Sequence, residues 1–238
     1  MKARLAGAAA LAFAFAQIAA MPAYAEQAPF RTAAPHAFTS QADEHEPTRE
    51  VVTFMLTSFY KIVRPFTGLL CTLGGRAPTL QSRFALMDNI YEEMGRGDID
   101  SAHPNLYLKM LRSIGVTEEA ADAAPTLAPV RRINEHLRSL AETRPFAVGC
   151  AVLASAEATI SPSFPILAAM MREAFPSADM AFFDRHGPRD DGHADDAGML
   201  FAHTADRSLY SAIEDAVLLD LDYRADLFDE WMIAINTG

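Results

Sequence analysis

The chain has 238 residues, of which 50% are hydrophobic and 21% are charged, a composition typical of a globular protein with one sizeable core. Its formal net charge of −11 argues against binding to a phosphate backbone, so we expect no nucleic-acid partner. The sequence contains no Ser-His-Asp elbow, P-loop or Rossmann glycine pattern, and hydrolase, kinase and dinucleotide-binding functions therefore have no support.

The first 25 residues are typical of a secretory signal peptide. Lys2 and Arg4 are followed by an apolar run over residues 5–20 and by small residues at positions 23 and 25. The apolar run is short for a membrane-spanning helix and leads directly into this cleavage pattern, so an uncleaved anchor is the weaker interpretation. We predict cleavage after Ala25, a periplasmic or secreted protein, and no stable membrane insertion of the mature chain.

Two cysteines remain in this oxidising setting, Cys71 and Cys150. Both lie in apolar stretches, so one disulfide and two buried free thiols are left open as alternatives. The chain has no Cys-x-x-Cys pair, which excludes zinc-ribbon, thioredoxin-like and c-type haem proteins.

Helical periodicity dominates the rest of the chain. Residues 26–46 mix proline, alanine, threonine and charged residues without an apolar period, and we predict a flexible lead-in there. From residue 47 onwards no strand alternation extends over any length. The predicted helices cover 48–73, 80–94, 101–114, 129–142, 144–158, 162–175, 178–200 and 206–235, with glycines and prolines between them. We therefore predict a single all-α domain over residues 47–238, with about seven or eight helices.

His186, Asp190 and His193 are related as i, i+4 and i+7, a spacing that places three side chains on one face of a continuous helix. Imidazole and carboxylate groups together bind iron, manganese or zinc. A polar helix face exposed to solvent is the alternative, because the neighbourhood is rich in aspartate. Pro188 lies inside the triplet, so we expect the helix to begin or kink there, with His186 just outside it.

Glu93 and His103 form a second pair of candidate ligands. Their separation of ten residues would put them on different faces of one continuous helix. Gly95 and Gly97 break that helix, and the break lets both side chains point the same way. The alternative is a surface glutamate and an ordinary histidine in the first turn of a helix.

The stretch 89–97, Asn-Ile-Tyr-Glu-Glu-Met-Gly-Arg-Gly, followed by Ala102 and His103, resembles one signature of the haem-oxygenase-like diiron oxidases, also known as iron-containing redox enzymes. The pattern His-x-x-x-Asp-x-x-His at residues 186–193, preceded by Phe182 and Phe183, is similar to the other signature. The two patterns occur in the family's order, and the resemblance covers roughly residues 50–235. It implies a haem-oxygenase-like helical bundle that binds metal over residues 47–238.

The resemblance implies six metal ligands: Glu93, His103, Glu157, His186, Asp190 and His193. They would hold two Fe(II) ions per chain, or one iron and one manganese, with open positions for dioxygen. Glu157 also lies inside the apolar stretch 147–160, where a buried carboxylate needs a cation; a helix end that faces water is the alternative. Some family members carry a further carboxylate where this chain has Thr67, so the second site is expected to be weaker or to use six ligands alone.

Several other residues allow two interpretations. His136 and His203 are more typical of ordinary surface or core histidines than of ligands. A clamp for a substrate carboxylate and a solvated helix face are both open for Arg131, Arg132, Arg138 and Arg144. An apolar pocket and core packing are both open for Met87, Tyr91, Tyr107, Phe182 and Phe183.

The resemblance implies an exported non-haem diiron oxidase or oxygenase that uses dioxygen to oxidise a small organic substrate of the amino-acid, amine or fatty-acid class. The alternative is an exported, non-catalytic metal- or haem-binding helical protein. A metal-free relative of the thiaminase type is disfavoured by the complete ligand set. The expected partners are the small-molecule substrate and dioxygen, and a homodimer is left open.

Overall fold

A computed structural model of the protein describes residues 47–160, 163–186 and 206–237, with the backbone alone described for 158–160 and 186. The predicted signal peptide, the lead-in, Asp190, His193 and His203 lie outside the described residues. All regular secondary structure within these ranges is helical, which confirms the all-α prediction. None of the described helices is long and apolar enough to span a membrane.

Nine α-helices lie within the described residues and are numbered in chain order. They are α1 (Arg49–Gly75), α2 (Leu80–Glu93), α3 (His103–Ser113), α4 (Glu118–Ala123), α5 (Ala128–Glu142), α6 (Phe146–Ile160), α7 (Phe164–Ala174), α8 (Ala181–His186) and α9 (Tyr210–Thr237). The short helix α4 was not predicted, because six residues are too few to show an apolar period. Its first turn is capped by Thr117, whose hydroxyl accepts a hydrogen bond from the Ala120 backbone N–H at 3.2 Å.

Two buried hydrogen bonds tie other helices to α1. The Trp231 Nε1–H of α9 donates to Ser58 Oγ at 2.9 Å, and the Tyr107 hydroxyl of α3 donates to the Leu56 carbonyl oxygen at 2.8 Å. Helix α1 also packs against α2 and α5, while α9 packs against α5 and α6. Because buried polar groups are costly without partners, these bonds set the position of α3 and α9 along α1.

A cluster of aromatic side chains attaches α8 to the rest of the bundle. The Phe182 ring of α8 lies edge-on to Tyr107, with 4.7 Å between ring centroids, and 5.9 Å from Phe164. Phe59 of α1 adds edge contacts to Phe164 and Trp231. These edge-to-face contacts are the favoured geometry of aromatic pairs, and they hold α8 beside the start of α3.

The two cysteines are not bonded to each other. Cys150 is buried on α6, and burial raises the pKa of its thiol to about 12. Cys71 is exposed on α1. Neither alternative from the sequence is therefore fully correct: the thiols are free, but one of them faces outward because the apolar end of α1 is covered on one side only.

Candidate metal centre

A tight turn between α2 and α3 brings Glu93 and His103 together. Glu93 is the last residue of α2 and His103 is the first residue of α3. Between them Gly95, Arg96 and Gly97 have positive φ angles of 72°, 57° and 92°. This left-handed run reverses the chain, which a continuation of α2 would not do.

The space around Gly95 excludes a side chain. A Cβ atom there would lie 2.6 Å from the backbone nitrogen of Ala102 and the carbonyl carbon of Ser101. Real Cβ atoms essentially never come so close to backbone atoms. The identity of Gly95 therefore allows the close approach of the two chain segments that carry the candidate ligands.

Glu93 and His103 are in direct contact. Glu93 Oε2 lies 2.9 Å from His103 Nδ1, and both residues are only 5% exposed. The interpretation of Glu93 as a surface residue is therefore wrong. Two ligand atoms at about 2.1 Å from one ion and at right angles would be about 3 Å apart, so this spacing is compatible with a shared metal. A buried carboxylate is also expensive without a nearby cation.

Both side chains line a cavity of about 70 Å³, a size suited to ions, a few water molecules or a ligand of a few heavy atoms. Glu157 of α6 lines the same cavity and is partly buried. Arg224 of α9 lines the cavity as well. The apolar lining residues are Phe59, Ile62, Val63, Phe66, Leu137, Ala156, Phe164 and Phe182. The fold thus gathers three of the six predicted ligands around one small, mostly apolar space.

His186 is the last residue of α8, and the structure describes only its backbone. We expected a helix to begin or kink near Pro188 with His186 just outside it. His186 instead belongs to α8, and Pro188 itself lies outside the described residues. Position 186 lies one turn beyond Phe182 on the same face of α8, and Phe182 lines the cavity.

Among the described residues, no group of three or more histidine, cysteine, aspartate or glutamate side chains is close enough to hold a metal ion. Asp190 and His193 lie outside these residues. What the described part provides is a buried carboxylate–imidazole pair with Glu157 at the same cavity. This donor set fits iron or manganese, and the six-ligand set stays a prediction.

A model of the iron-containing redox enzyme family matches residues 53–224, well over half of the chain. The chain belongs to this family. The resemblance inferred from the two motifs is thereby confirmed. No curated protein matches the chain in sequence.

Solved structures similar to the chain share its fold. A CADD-like protein of unknown function from Nostoc punctiforme has a TM-score of 0.72 at 14% identity, covering 94% of this chain and 98% of that one. A domain of unknown function with a haem-oxygenase-like fold from Shewanella denitrificans has a TM-score of 0.64 at 15% identity, covering 94% and 89%. A TenA homologue from Pseudomonas syringae has a TM-score of 0.62 at 16% identity, covering 91% of this chain and 95% of that one. The predicted haem-oxygenase-like bundle is confirmed.

Helix α1 brings no carboxylate to the cavity in this member of the iron-containing redox enzyme family. Its four lining residues are apolar: Phe59, Ile62, Val63 and Phe66. Thr67 follows directly after Phe66 and does not line the cavity. Whether Thr67 weakens a second metal site stays a prediction.

Arg224 is a cavity residue that the sequence patterns did not indicate. It is 4% exposed, and its Nε donates to Asp220 Oδ2 at 2.6 Å; Asp220 is fully buried. Opposite charges four residues apart in the last helix were the available signal. That signal is weak on its own, because the same spacing is common on solvated helices.

The four arginines considered as a substrate clamp do not line the cavity. Arg131, Arg138 and Arg144 are exposed. Arg132 donates from Nη2 to Asp226 Oδ2 at 2.8 Å, and its guanidinium lies 5.1 Å from the centre of the Tyr223 ring. The solvated-face interpretation therefore describes them better.

His136 is the ordinary histidine that the sequence indicated. Its Nε2 lies 3.0 Å from the Ala216 carbonyl oxygen, and this nitrogen must carry the proton because a carbonyl only accepts. Burial lowers the pKa of His136, so the neutral imidazole is favoured.

The aromatic residues near the candidate ligands divide into two groups. Tyr107, Phe182 and Phe183 are buried, and Phe182 lines the cavity. Met87 and Tyr91 are 40% and 53% exposed, and neither lines the cavity, so the pocket interpretation is wrong for both. Met87 is nevertheless partly packed, because its Cε lies close to Gly74 of α1.

Proposed function

We propose that the protein is an exported non-haem iron oxidase or oxygenase that uses dioxygen to oxidise a small organic substrate of the amino-acid, amine or fatty-acid class. The buried contact between Glu93 and His103, at a cavity that Glu157 also lines, is the observation that carries this proposal. It fits the family of iron-containing redox enzymes to which the chain belongs.

In this proposal the described ligands Glu93, His103 and Glu157 act together with His186, Asp190 and His193. Bound iron supplies the activation of dioxygen. Two irons per chain are proposed, and manganese can take the place of one. Because Thr67 stands where some relatives have a further carboxylate, the second ion is expected to bind more weakly than the first.

The chain's own residues prepare the site in two ways. The turn between α2 and α3 holds Glu93 Oε2 within 2.9 Å of His103 Nδ1, so these two ligand atoms are already close together. The apolar side chains of Phe59 and Phe164 exclude water from the cavity wall, and low water content strengthens every electrostatic interaction inside. Both effects would favour tight and well-oriented metal binding.

An exported protein that binds metal or haem without catalysis is the alternative. The cavity of about 70 Å³ is far below the roughly 300–1,000 Å³ of pockets that enclose larger ligands, so it is too small for haem. Dioxygen uptake decides between catalysis and storage. Iron-loaded protein that shows no accelerated uptake with any candidate substrate would favour the non-catalytic alternative.

Iron content tests the proposal directly. After anaerobic loading of residues 26–238 with Fe(II) and desalting, we expect about two irons per chain in the wild type. Glu157→Ala and Asp190→Ala should each lose most of this iron, because each removes a ligand. Glu135→Ala, which removes an exposed carboxylate of α5 outside the cavity, is the matched control and should retain it.

The stoichiometry separates three outcomes. About two irons, lost in both ligand variants, support the dinuclear site. A value near one supports a single strong site, with a second site weakened at Thr67. No retained iron in the wild type would contradict the proposal.

The proposal includes a homodimer formed through α2. An exposed apolar stripe runs along this helix at spacings of four, three and four residues: Leu80 (80%), Phe84 (75%), Met87 (40%) and Tyr91 (53%). This spacing is that of a coiled-coil seam, which packs well against an identical helix. Arg83 and Asp88 flank the stripe with opposite charges, which suits pairing with a second copy.

Light scattering on the purified protein tests the dimer. We expect a mass of about two chains for the wild type and of one chain for Phe84→Glu, because the variant puts a charge in the seam. Ile233→Glu, which alters an isolated apolar residue that is 60% exposed on α9, should leave the mass unchanged. A monomeric wild type would contradict this part of the proposal.

A further inference from the structure

Arg224 is the only permanent cation among the described residues that line the cavity. It is 4% exposed, and its neighbours in the lining are mostly apolar. Bringing a guanidinium into such surroundings is costly unless its hydrogen bonds are satisfied. Asp220, fully buried one helical turn before it, supplies one partner.

Asp220 satisfies only part of the guanidinium. A guanidinium carries five N–H donors in a fixed plane. Nε donates to Asp220 Oδ2 at 2.6 Å, whereas Nη2 reaches Oδ1 only at 3.5 Å. No other described residue accepts a hydrogen bond from Arg224, so its Nη1 end keeps donors for a second acceptor. A planar guanidinium that has one carboxylate partner can bind a second carboxylate, which accepts two parallel hydrogen bonds.

A purely structural role explains the pair less well. Replacing a buried ion pair by apolar residues is often neutral or stabilising, so stability is a weak reason for one beside a cavity. Two carboxylates, Glu93 and Glu157, also line this space and would repel an anion. The Arg224–Asp220 pair has no net charge, so what Arg224 offers an anion is the set of N–H donors that Asp220 does not take.

We infer that Arg224 anchors the carboxylate of the substrate, and that Asp220 holds the guanidinium in the required orientation. The ligand class is a monocarboxylate of only a few carbon atoms, because the cavity measures about 70 Å³, and its apolar part would contact Phe59, Phe164 or Phe182. Amines without a carboxylate do not fit this anchor. The inference rests on the proposed function in that it takes the cavity as the substrate site.

Binding of butyrate and butylamine, which are matched in chain length, tests the anchor. Each is titrated by ligand-observed NMR into residues 26–238, with chelator and again after anaerobic Fe(II) loading. We expect butyrate to bind more tightly than butylamine in both states. The double variant Asp220→Asn/Arg224→Gln should weaken butyrate binding at least about tenfold, because it removes a charge-assisted hydrogen bond.

The variants are chosen so that misfolding cannot imitate the result. The double variant leaves no buried charge unpaired, and its unfolding midpoint is compared with that of the wild type. Arg224→Lys keeps the charge but loses the planar fork, and should give an intermediate affinity. Arg132→Gln, on an arginine outside the cavity, should leave butyrate binding unchanged.

Two results would overturn the inference: butyrate affinity that is unchanged in the folded double variant, or tighter binding of butylamine than of butyrate. Iron content is measured on the same samples. Loss of iron binding with retained, Arg224-dependent butyrate binding would contradict the proposed function and leave the anchor standing. Normal iron content with no butyrate binding in either state would contradict the anchor and leave the proposed function standing.

Discussion

Gly95→Ala is expected to lower the free energy of unfolding by about 2–4 kcal/mol, from a left-handed backbone penalty and an overpacked contact together. Gly95 has a φ of +72°, and an added Cβ would meet backbone atoms of Ser101 and Ala102 at 2.6 Å. Backbone atoms cannot rotate away as the end of a flexible side chain does, so the turn must open. Because this turn sets the distance between Glu93 and His103, iron retention should fall as well.

Urea unfolding followed by circular dichroism measures the effect, and Gly115→Ala is the matched control. Gly115 also has a positive φ, of +89°, but nothing lies within 4 Å of an added Cβ. It therefore carries the backbone penalty alone, about 1–2 kcal/mol. Equal loss of stability in the two variants would contradict the steric argument for Gly95.

Trp231→Ala is expected to destabilise the protein by about 3–5 kcal/mol, the usual cost of emptying a large aromatic site in a core. Trp231 is fully buried, lies edge-on to Phe59 and Phe228, and donates its Nε1–H to Ser58 Oγ at 2.9 Å. The substitution removes this bond between α9 and α1 together with the packing around it. The same helix carries Arg224, so the cavity should also lose order.

The measurement is the shift of the urea unfolding midpoint, with Ile233→Ala as the control. Ile233 lies two residues further along α9 and is 60% exposed, so its truncation should change stability by less than about 0.5 kcal/mol. A small effect of Trp231→Ala, comparable with that of the control, would show that α9 does not depend on this contact.

The fold class could be predicted because its signals are local. An apolar period of 3.6 residues and the glycines and prolines between segments depend only on neighbouring positions. Helix α2 was predicted over 80–94 and observed as Leu80–Glu93, and the last helix was predicted over 206–235 and observed as Tyr210–Thr237. Helix α4 escaped prediction because a single capped turn has no period to detect.

The contact at the candidate site was only partly predictable. The glycines at positions 95 and 97 indicated that the helix ends after Glu93. After such an end, however, the chain can continue in many directions. The direction taken depends on the close packing of Gly95 against Ser101 and Ala102, and on the bonds that hold α3 against α1. Local pattern therefore suggested the pair, while packing determined its distance.

Exposure was the hardest property to predict. Cys71 and Met87 belong to apolar stretches, yet both face outward, because burial depends on which faces the neighbouring helices cover. Conversely, no sequence pattern singled out Asp220 and Arg224, although both are buried. The sequence of a helix shows which of its faces are apolar, but it does not show which faces other helices cover.

The sequence by itself determined the all-α class, the family, and the order of the candidate ligands along the chain, because motifs and apolar period are properties of short segments. Only the tertiary structure decided that Glu93 and His103 touch in a buried site, and that Glu157 and Arg224 open onto the same cavity. These residues come from four helices, of which those of Glu157 and Arg224 are far along the chain from those of Glu93 and His103. Their meeting depends on how whole helices pack, and packing is a sum over many contacts that no single segment contains.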